Sequence, residues 1–564
     1  MYFRRELIVV SSLVVLGSVS AYADSVIGGN VFTTLSSHIP NDVNKFLDEG
    51  KLSENKNITV TLSLPLNHAD ELDDLIKRVY DPKDSEFHNF ITPEQFKSRF
   101  SPSTEQVEGV KSYLLAQGVL PLSVSDNRMF IQAQGSVGAL NSVFHTEVHQ
   151  YRDAKNHAYF APAYELQVPN GLPIQGVHGL QNVTRLKRHS FKLNVSGKPE
   201  LAGSGPNGGI SPSDLRTAYN IPTTSTGAGQ SLALFELDGY DSTDITAYEK
   251  EFSLKAVSLA NVLVGQATGT AGDGAAEVTL DIELMIATAP SASQILVYEG
   301  TNDEQGVINT YSKIASDNKA SQISTSWGSS EGNNTTSLSQ SENAVFKQMV
   351  AQGQALYAAA GDSGAYDDGT NLSVDDPASQ PYVVAVGGTS LTFTTGGKYV
   401  SETTWSSGGS TGGGNGGGGG VSTVWTIPSW QQGVATSQNL GSTTMRNVPD
   451  VSLDADPNTG YAIYSGGSWN IYGGTSCAAP IWAAFHALIN QQRALNHLAS
   501  LGFPNPAYYT IGQSSRYNSD FFDIKDNSTN LHFPAVVGYD NATGWGSFNG
   551  QSLLSDLGTD AFTK

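Results

Sequence analysis

Apolar residues recur along this chain in two different rhythms, and the change falls near residue 210. Before it, Ile58 to Leu64 alternates apolar and polar positions as a half-buried strand does, and Met129 to Ala133 reads as a second strand. His68 to Tyr80 and Thr104 to Gln117 carry apolar residues at helical spacing, and Gly138 to Phe144 begins a third helix. These elements predict a compact α+β unit with a ferredoxin-like β-α-β arrangement.

After residue 210 the strands become short and nearly continuously apolar. They are Leu232 to Glu236, Ile295 to Tyr298, Gln322 to Thr325, Ala355 to Ala359 and Tyr382 to Val386. Between them fall helical stretches at Val278 to Thr288, Glu304 to Ser316 and Ser337 to Ala351. Buried strands spaced by helices predict an α/β fold, a parallel sheet covered on both faces. Sites in such sheets gather beyond the carboxyl ends of the strands, where Glu236, Trp327 and Asp362 fall. Between the two units, residues 186–209 read as an exposed, cleavable linker, preceded and opened by the basic run Arg185 to His189.

Composition narrows the picture. Few residues are charged (15%) and glycines number 59, which suits a loop-rich exported enzyme. Arg4 and Arg5, the apolar run that follows and Ala21-Tyr22-Ala23 read as a secretory signal over residues 1–23, too short an apolar run for a membrane anchor. The single cysteine, Cys477, excludes an intrachain disulfide framework. Net charge is −22, and residues from 201 onward hold 12 Lys+Arg against 32 Asp+Glu. Such a surface disfavours nucleic acid and anionic membranes as partners. No coiled-coil repeat argues for an oligomer, so a monomer is expected. Eight of the eleven histidines precede residue 190, which suggests that acidification loosens the N-terminal unit, with His145, His149, His157 and His178 as the candidates.

The chemistry centres on Gly473-Gly474-Thr475-Ser476, followed at once by an apolar helix. A glycine turn delivers the Ser476 hydroxyl to a helix N-terminus, whose free N–H groups suit an oxyanion hole; an ordinary N-cap is the alternative. Beyond residue 200 the histidines are His486, His497 and His532, and none is placed to activate Ser476. His486 lies roughly 15 Å along the same helix at 1.5 Å per residue. The base is therefore sought among carboxylates. Glu277 and Asp281, at i and i+4 in an apolar segment, share a helix face and in a dry site share a proton; an acidic pair on a solvated face is the alternative. Asp362, in Gly361-Asp362-Ser363-Gly364, can donate to an oxyanion if protonated, or simply form an Asx turn.

Together these motifs resemble the sedolisins, or serine-carboxyl peptidases. Glu277-x-x-x-Asp281, Ser324-Thr325-Ser326-Trp327-Gly328, Gly361-Asp362-Ser363-Gly364 and Gly474-Thr475-Ser476-x-x-x-Pro480 occur in that family's order. Phe87 to Phe96 resembles its propeptide signature, Ser211 to Tyr219 the start of its mature enzyme, and Val448 to Ser452 a stretch near its nucleophile. The resemblance implies a subtilisin-like catalytic domain over 210–564 and an inhibitory, chaperone-like prodomain over 24–185. It implies Ser476 as nucleophile, Glu277 as base, Asp281 as its orienter and Asp362 as oxyanion donor, with Glu236 and Trp327 extending the proton-sharing network. It also implies one structural Ca2+, held by Asp523, Ile524, Val536, Gly538 and Asp540, where Val536 replaces the relatives' glycine; scattered acids on a surface loop are the alternative. The latter half of the Gly-rich stretch Ser407 to Ser422 corresponds to backbone bordering the substrate cleft. The expectation is a secreted, self-processing, acid-acting endopeptidase that binds protein substrates and its own prodomain. A tripeptidyl-peptidase of the same family and a non-catalytic calcium-binding protein are the alternatives.

Overall fold

In a computed structural model of the protein, the alternating run at Ile58 becomes the strand Asn57–Ser63, the centre of an antiparallel sheet. It pairs with Phe130–Ser136 on one side and Gly176–His178 on the other, and Leu120–Val124 completes the sheet beyond Phe130–Ser136. Helices Ala69–Val79 and Thr104–Ala116 follow the first strand, and Val137–Phe144 follows the third. This β-α-β-β-α-β order is ferredoxin-like and contains the β-α-β arrangement that the sequence predicted. The description covers residues 31–193, 203–408 and 414–563, so the export signal expected at 1–23 lies outside it. One helix escaped the periodicity, Pro93–Arg99. It is fixed by a capping box in which Thr92 and Gln95 exchange hydrogen bonds, with Pro93 at the first helical position.

The larger unit is built on an eight-stranded sheet. Leu259–Leu263, Gln294–Glu299, Ser231–Glu236, Gln322–Thr325, Ala355–Ala359 and Val384–Phe393 lie side by side and parallel. Tyr399–Thr404 adds an antiparallel edge and Val451–Asp454 a further parallel partner to Val384–Phe393. Helices Ala275–Thr288 and Thr475–Leu495 pack on each other, and the latter also covers the central strands. Both are buried because apolar residues surround them on nearly every side, as the sequence of each requires. Glu236, Trp327 and Asp362 cluster at the carboxyl ends of the central strands, where a parallel sheet opens its crevice.

The two units meet along helix Thr336–Ala351. Lys347 Nζ lies 2.6 Å from Asp73, Asn127 Nδ2 donates to Gln348 at 2.8 Å, and the Tyr80 hydroxyl donates to the Val350 carbonyl at 2.8 Å. Two sequence expectations change here. His145 and His157 are exposed on the outer surface of the N-terminal unit, away from this boundary. His149 is held between Glu147 and Asp48; burial opposes its protonation, yet hydrogen bonds to both acids raise its pKa. Of the four candidates only His178 is wholly buried, with Nε2 3.0 Å from Ser341 Oγ of the larger unit. His88, which the sequence argument passed over, also crosses the boundary, accepting from Arg493 at 2.9 Å. The second change concerns the linker. Lys187–Arg188 pairs antiparallel with Trp327–Ser330, and Phe191–Lys192 pairs with Ser468–Gly473. The start of the expected free linker is thus a strand-like segment laid across the larger unit.

Candidate active site

Gly474 turns the chain into helix Thr475–Leu495 with φ of 111°, a conformation that favours glycine. A Cβ there would overlap both the His189 carbonyl oxygen and Asp362 Oδ2. Ser476 is thereby held in the first helical turn, fully buried, with its backbone N–H directed at the His189 carbonyl at 3.0 Å. Asp362 follows strand Ala355–Ala359 in a tight turn. Its Oδ1 accepts from the Thr475 N–H and the Thr475 hydroxyl, both at 2.8 Å, while Oδ2 is buried with no hydrogen-bond partner among the described residues. Burial is the main cause that pushes this carboxyl up to about 7, so below neutrality Oδ2 can carry a proton. The latter half of the Gly-rich stretch, expected to border the substrate cleft, braces this turn. Gly416 N–H donates to the Asp362 carbonyl at 3.0 Å and Gly418 N–H to Gly361 at 2.8 Å.

Helix Ala275–Thr288 brings Glu277 and Asp281 to the same crevice, both fully buried. Burial raises the pKa of Glu277, and the Ser190 and Ser476 hydroxyls near it oppose that rise. Ser190 Oγ donates to Glu277 Oε2, whereas Glu277 Oε1 and Ser476 Oγ have no hydrogen-bond partner among the described residues. Asp281 Oδ1 accepts from Ser326 Oγ at 2.8 Å. Burial, then the charges of Glu236 and Glu277, raise its pKa well above the ordinary range. Behind it, Glu236 accepts from Trp327 Nε1 at 2.8 Å, and burial pushes its carboxyl up to about 8. The six candidates for chemistry are therefore all brought together: a serine, three linked carboxyls, an indole that orients the last, and a fourth carboxyl on the opposite side. Glu283, on the far face of the helix, accepts instead from the Tyr464 N–H at 3.0 Å.

No imidazole serves Ser476. His486 is buried and hydrogen-bonded to the Tyr357 hydroxyl at 3.1 Å, with that hydroxyl 2.9 Å from Tyr508. Instead a peptide bond is presented to the serine. The carbonyl of His189 lies against the Ser476 N–H and Asp362, and the next residue, Ser190, donates its hydroxyl to Glu277 Oε2. Upstream, Lys187 and Arg188 are registered on Gly328 and Trp327; downstream, Phe191 and Lys192 are registered on Gly473 and Tyr472. Leu186 is gripped at both its N–H and its carbonyl by the Asn302 side chain, at 2.9 and 2.8 Å.

The His189 side chain enters a pocket of acids that sequence reasoning missed. Its Nε2 lies 3.1 Å from Asp375 Oδ2, and Asp375 is fully buried. Burial, then the charge of Asp376, raises the Asp375 pKa well above the usual range; burial and Asp375 push Asp367 up to about 7. Gly328 leaves the room, since a Cβ there would overlap Asp375 and lie 2.8 Å from His189 Nε2. The signal in the sequence was a basic run, Arg185 to His189, matched by the adjacent acids Asp375 and Asp376.

At the C-terminal end, Asp523 and Asp540 converge on the turn 536–540. Asp523 Oδ1 accepts from Tyr517 at 2.8 Å and Gly538 N–H at 3.2 Å, and its Oδ2 is buried without a hydrogen bond among the described residues, 3.2 Å from Lys525 Nζ. Asp540 accepts from the N–H groups of Val536, Ala542 and Thr543 at 2.8–3.0 Å, and burial pushes it up to about 7. The carbonyls of Ile524, Val536 and Gly538 accept no hydrogen bond among the described residues. Two carboxylates and free carbonyls form a donor set of hard oxygens that fits a calcium ion. It includes no group of three His, Cys, Asp or Glu side chains.

Known proteins resemble this chain over most of its length. Residues 44–183 match the family model described as the pro-kumamolisin activation domain, and residues 264–501 match that of the subtilase family. Over 535 residues the chain is 31% identical to sedolisin of Pseudomonas sp. (strain 101), spanning 91% of this chain and 89% of that protein. It is 31% identical over 552 residues to kumamolisin of Bacillus sp. (strain MN-32), with 93% and 96% covered. It is 27% identical over 551 residues to tripeptidyl-peptidase 1 of Rattus norvegicus, with 90% and 93% covered. Among solved structures, Pseudomonas sedolisin, a serine-carboxyl proteinase complexed with two molecules of pseudo-iodotyrostatin, superposes with a TM-score of 0.56 at 31% identity. It covers 62% of this chain and 97% of its own.

Proposed function

The chain belongs to the sedolisin family of serine-type peptidases, and from that premise we propose that it is an exported, acid-acting endopeptidase that cuts its own prosegment between His189 and Ser190. The observation that carries this reading is the peptide bond His189–Ser190 lying across Ser476, with its carbonyl on the Ser476 N–H. In the proposed reaction, Ser476 Oγ attacks the carbonyl carbon while Glu277 takes the hydroxyl proton. Asp281 and Glu236, sharing protons behind it, orient Glu277. The developing oxyanion receives hydrogen bonds from the Ser476 N–H and from protonated Asp362. Glu277 then delivers its proton to the Ser190 amine, the C–N bond breaks and an acyl-enzyme remains. Water hydrolyses the acyl-enzyme by the same steps in reverse.

Two features sharpen the substrate. Residues 186 to 192 run through the crevice on both sides of the proposed bond, with Leu186 still gripped by Asn302. A crevice that holds at least four residues ahead of the cut favours an endopeptidase over a tripeptidyl-peptidase. The pocket of Asp367 and Asp375 favours a basic side chain immediately before the cut, because a buried acid crowded by a second, half-buried one is relieved by a cation. A calcium ion held by Asp523, Asp540 and the carbonyls of Ile524, Val536 and Gly538 would supply positive charge that clamps the C-terminal turn.

The test is incubation of the full chain at acidic pH with mass spectrometry of the products. A new N-terminus at Ser190 is expected, and none from Glu277→Ala or Ser476→Ala. A processed, active Glu277→Ala protein would refute the assignment.

A further inference from the structure

Glu299 closes strand Gln294–Glu299, and its register partner on the neighbouring parallel strand is Glu236. Partners in a parallel pair project to the same face, on strands about 4.8 Å apart, so the two carboxyls stand side by side. The Gly300 N–H donates to the Glu236 carbonyl at 2.8 Å and fixes that register to its last residue. Glu299 is 1% exposed, and neither of its carboxyl oxygens has a hydrogen-bond partner among the described residues. The groups that face it are few. On its own sheet they are Glu236 and the apolar Leu263 of the edge strand; from the loop after Ser231–Glu236 come Asp238 and the Tyr240 phenol. Gly269, in the exposed loop 265–273, covers it, with Glu299 Oε2 3.5 Å from the position a Cβ would take.

We propose that Glu299 is a positioning residue for the reaction, the outer member of the carboxyl chain Glu277–Asp281–Glu236, and that it acts by fixing how tightly Glu236 and Asp281 keep their shared proton. The inference rests on the reading above that this chain of acids serves as the base system. A carboxyl with no partner of its own, buried beside another, must either be neutral or hold its neighbour neutral. Burial and the nearby Asp238 push Glu299 up to about 7, so it changes charge in the range where an acid-acting peptidase loses activity. When it ionises, its charge makes loss of the Glu236–Asp281 proton harder.

The sign follows. Glu299→Gln removes the charge, so the shared proton is lost at lower pH. The basic limb of the kcat/KM–pH profile should then move down by about one pH unit, as expected for one unit charge at this separation. Glu299→Asp, which restores a carboxyl, should return the limb towards its original position. The profile is measured on the processed enzyme with a peptide substrate, alongside thermal unfolding to verify the fold. A basic limb unmoved in Glu299→Gln, with any rate loss uniform across pH, would overturn the proposal. That outcome with an inactive Glu277→Ala sinks this inference alone; an active Glu277→Ala sinks the base assignment as well.

Discussion

Nδ1 of His88 accepts a hydrogen bond from Nη2 of Arg493 at 2.9 Å, across the boundary between the two units. A guanidinium can only donate, so this imidazole nitrogen must be unprotonated while the units are docked. Burial, then the Arg493 charge, lowers the His88 pKa to about 4; the salt bridge from Arg493 to Asp560 at 2.5 Å offsets only part of that charge. The docked pKa lies below the free value of 6.5, so the contribution to docking is complete above 6.5 and lost as pH falls from there towards about 4. Over that span the loss approaches about 3 kcal/mol. His88→Gln keeps an acceptor for Arg493 and cannot protonate. It should hold the N-terminal unit in place to lower pH, read as a lower midpoint for the rise in hydrodynamic radius of the uncut Ser476→Ala chain on gel filtration, where undocked units stay linked but spread apart. Gln at His145, His149 and His157 should leave the midpoint where it is, because those rings do not touch the larger unit.

The orientation of Asp362 separates two roles for its oxygens. Oδ1 is fixed by two donors from Thr475, which leaves Oδ2 as the atom that can hold a proton towards the His189 carbonyl. Asp362→Ala removes that donor and should lower kcat/KM by about 10²–10³-fold at acidic pH, the usual cost of one oxyanion-hole donor. Asp362→Asn offers an amide N–H in the same place and should lose less. Because the Asn does not titrate, its rate should also be less sensitive to pH near 7. Equal rates for Ala and wild type would remove Asp362 from the oxyanion site.

Asp375 tests the preference for a basic residue before the cut. Asp375→Asn leaves the pocket's size and removes one of its two carboxylates. Its kcat/KM for peptides with Arg, Lys or protonated His at that position should fall about 10–100-fold relative to peptides with Leu there, the range of a buried charge-assisted contact. A uniform change across all peptides would mean that the pocket does not read charge.

How much of this could be read from the chain alone depended on where the information resides. Ser476, Glu277, Asp281 and Asp362 were legible because each sits in a local pattern with a mechanical reason: a glycine turn into a helix, an i,i+4 acid pair in an apolar helix, a Gly-Asp turn after a strand. The parallel sheet was legible for the same reason, through short apolar strands at regular spacing. What was not legible is pairing over long separations. Arg185 to His189 carries the composition of a surface linker, and only the partner strands Trp327–Ser330 and Ser468–Gly473 turn it into an occupant of the crevice. Asp375 and Glu299 likewise acquire meaning only from neighbours far along the chain, His189 and Glu236. The role of the glycine-rich stretch was hidden because composition reports freedom, whereas Gly416 and Gly418 are committed by hydrogen bonds to residues 362 and 361 beside the site.

The C-terminal turn supplies the remaining test, because its two acids are unequal in what they lack. Asp540 is served by three backbone N–H groups and would hold its loop without help, whereas Asp523 keeps a buried oxygen with no hydrogen bond. A cation drawn to that oxygen should therefore stabilise the folded enzyme by mass action, by about 3–4 kcal/mol when calcium exceeds its Kd by a hundred- to a thousandfold. For a domain of this size that corresponds to a Tm lowered by roughly 4–5 °C on chelation with EGTA and restored by added calcium but not by magnesium, which tolerates fewer protein ligands. Asp523→Asn should abolish the response to both treatments. Gly at position 536 should not, since Val536 is placed to contribute only its carbonyl. An unchanged Tm with EGTA would mean that Lys525, 3.2 Å from Asp523, already provides the positive charge the site needs.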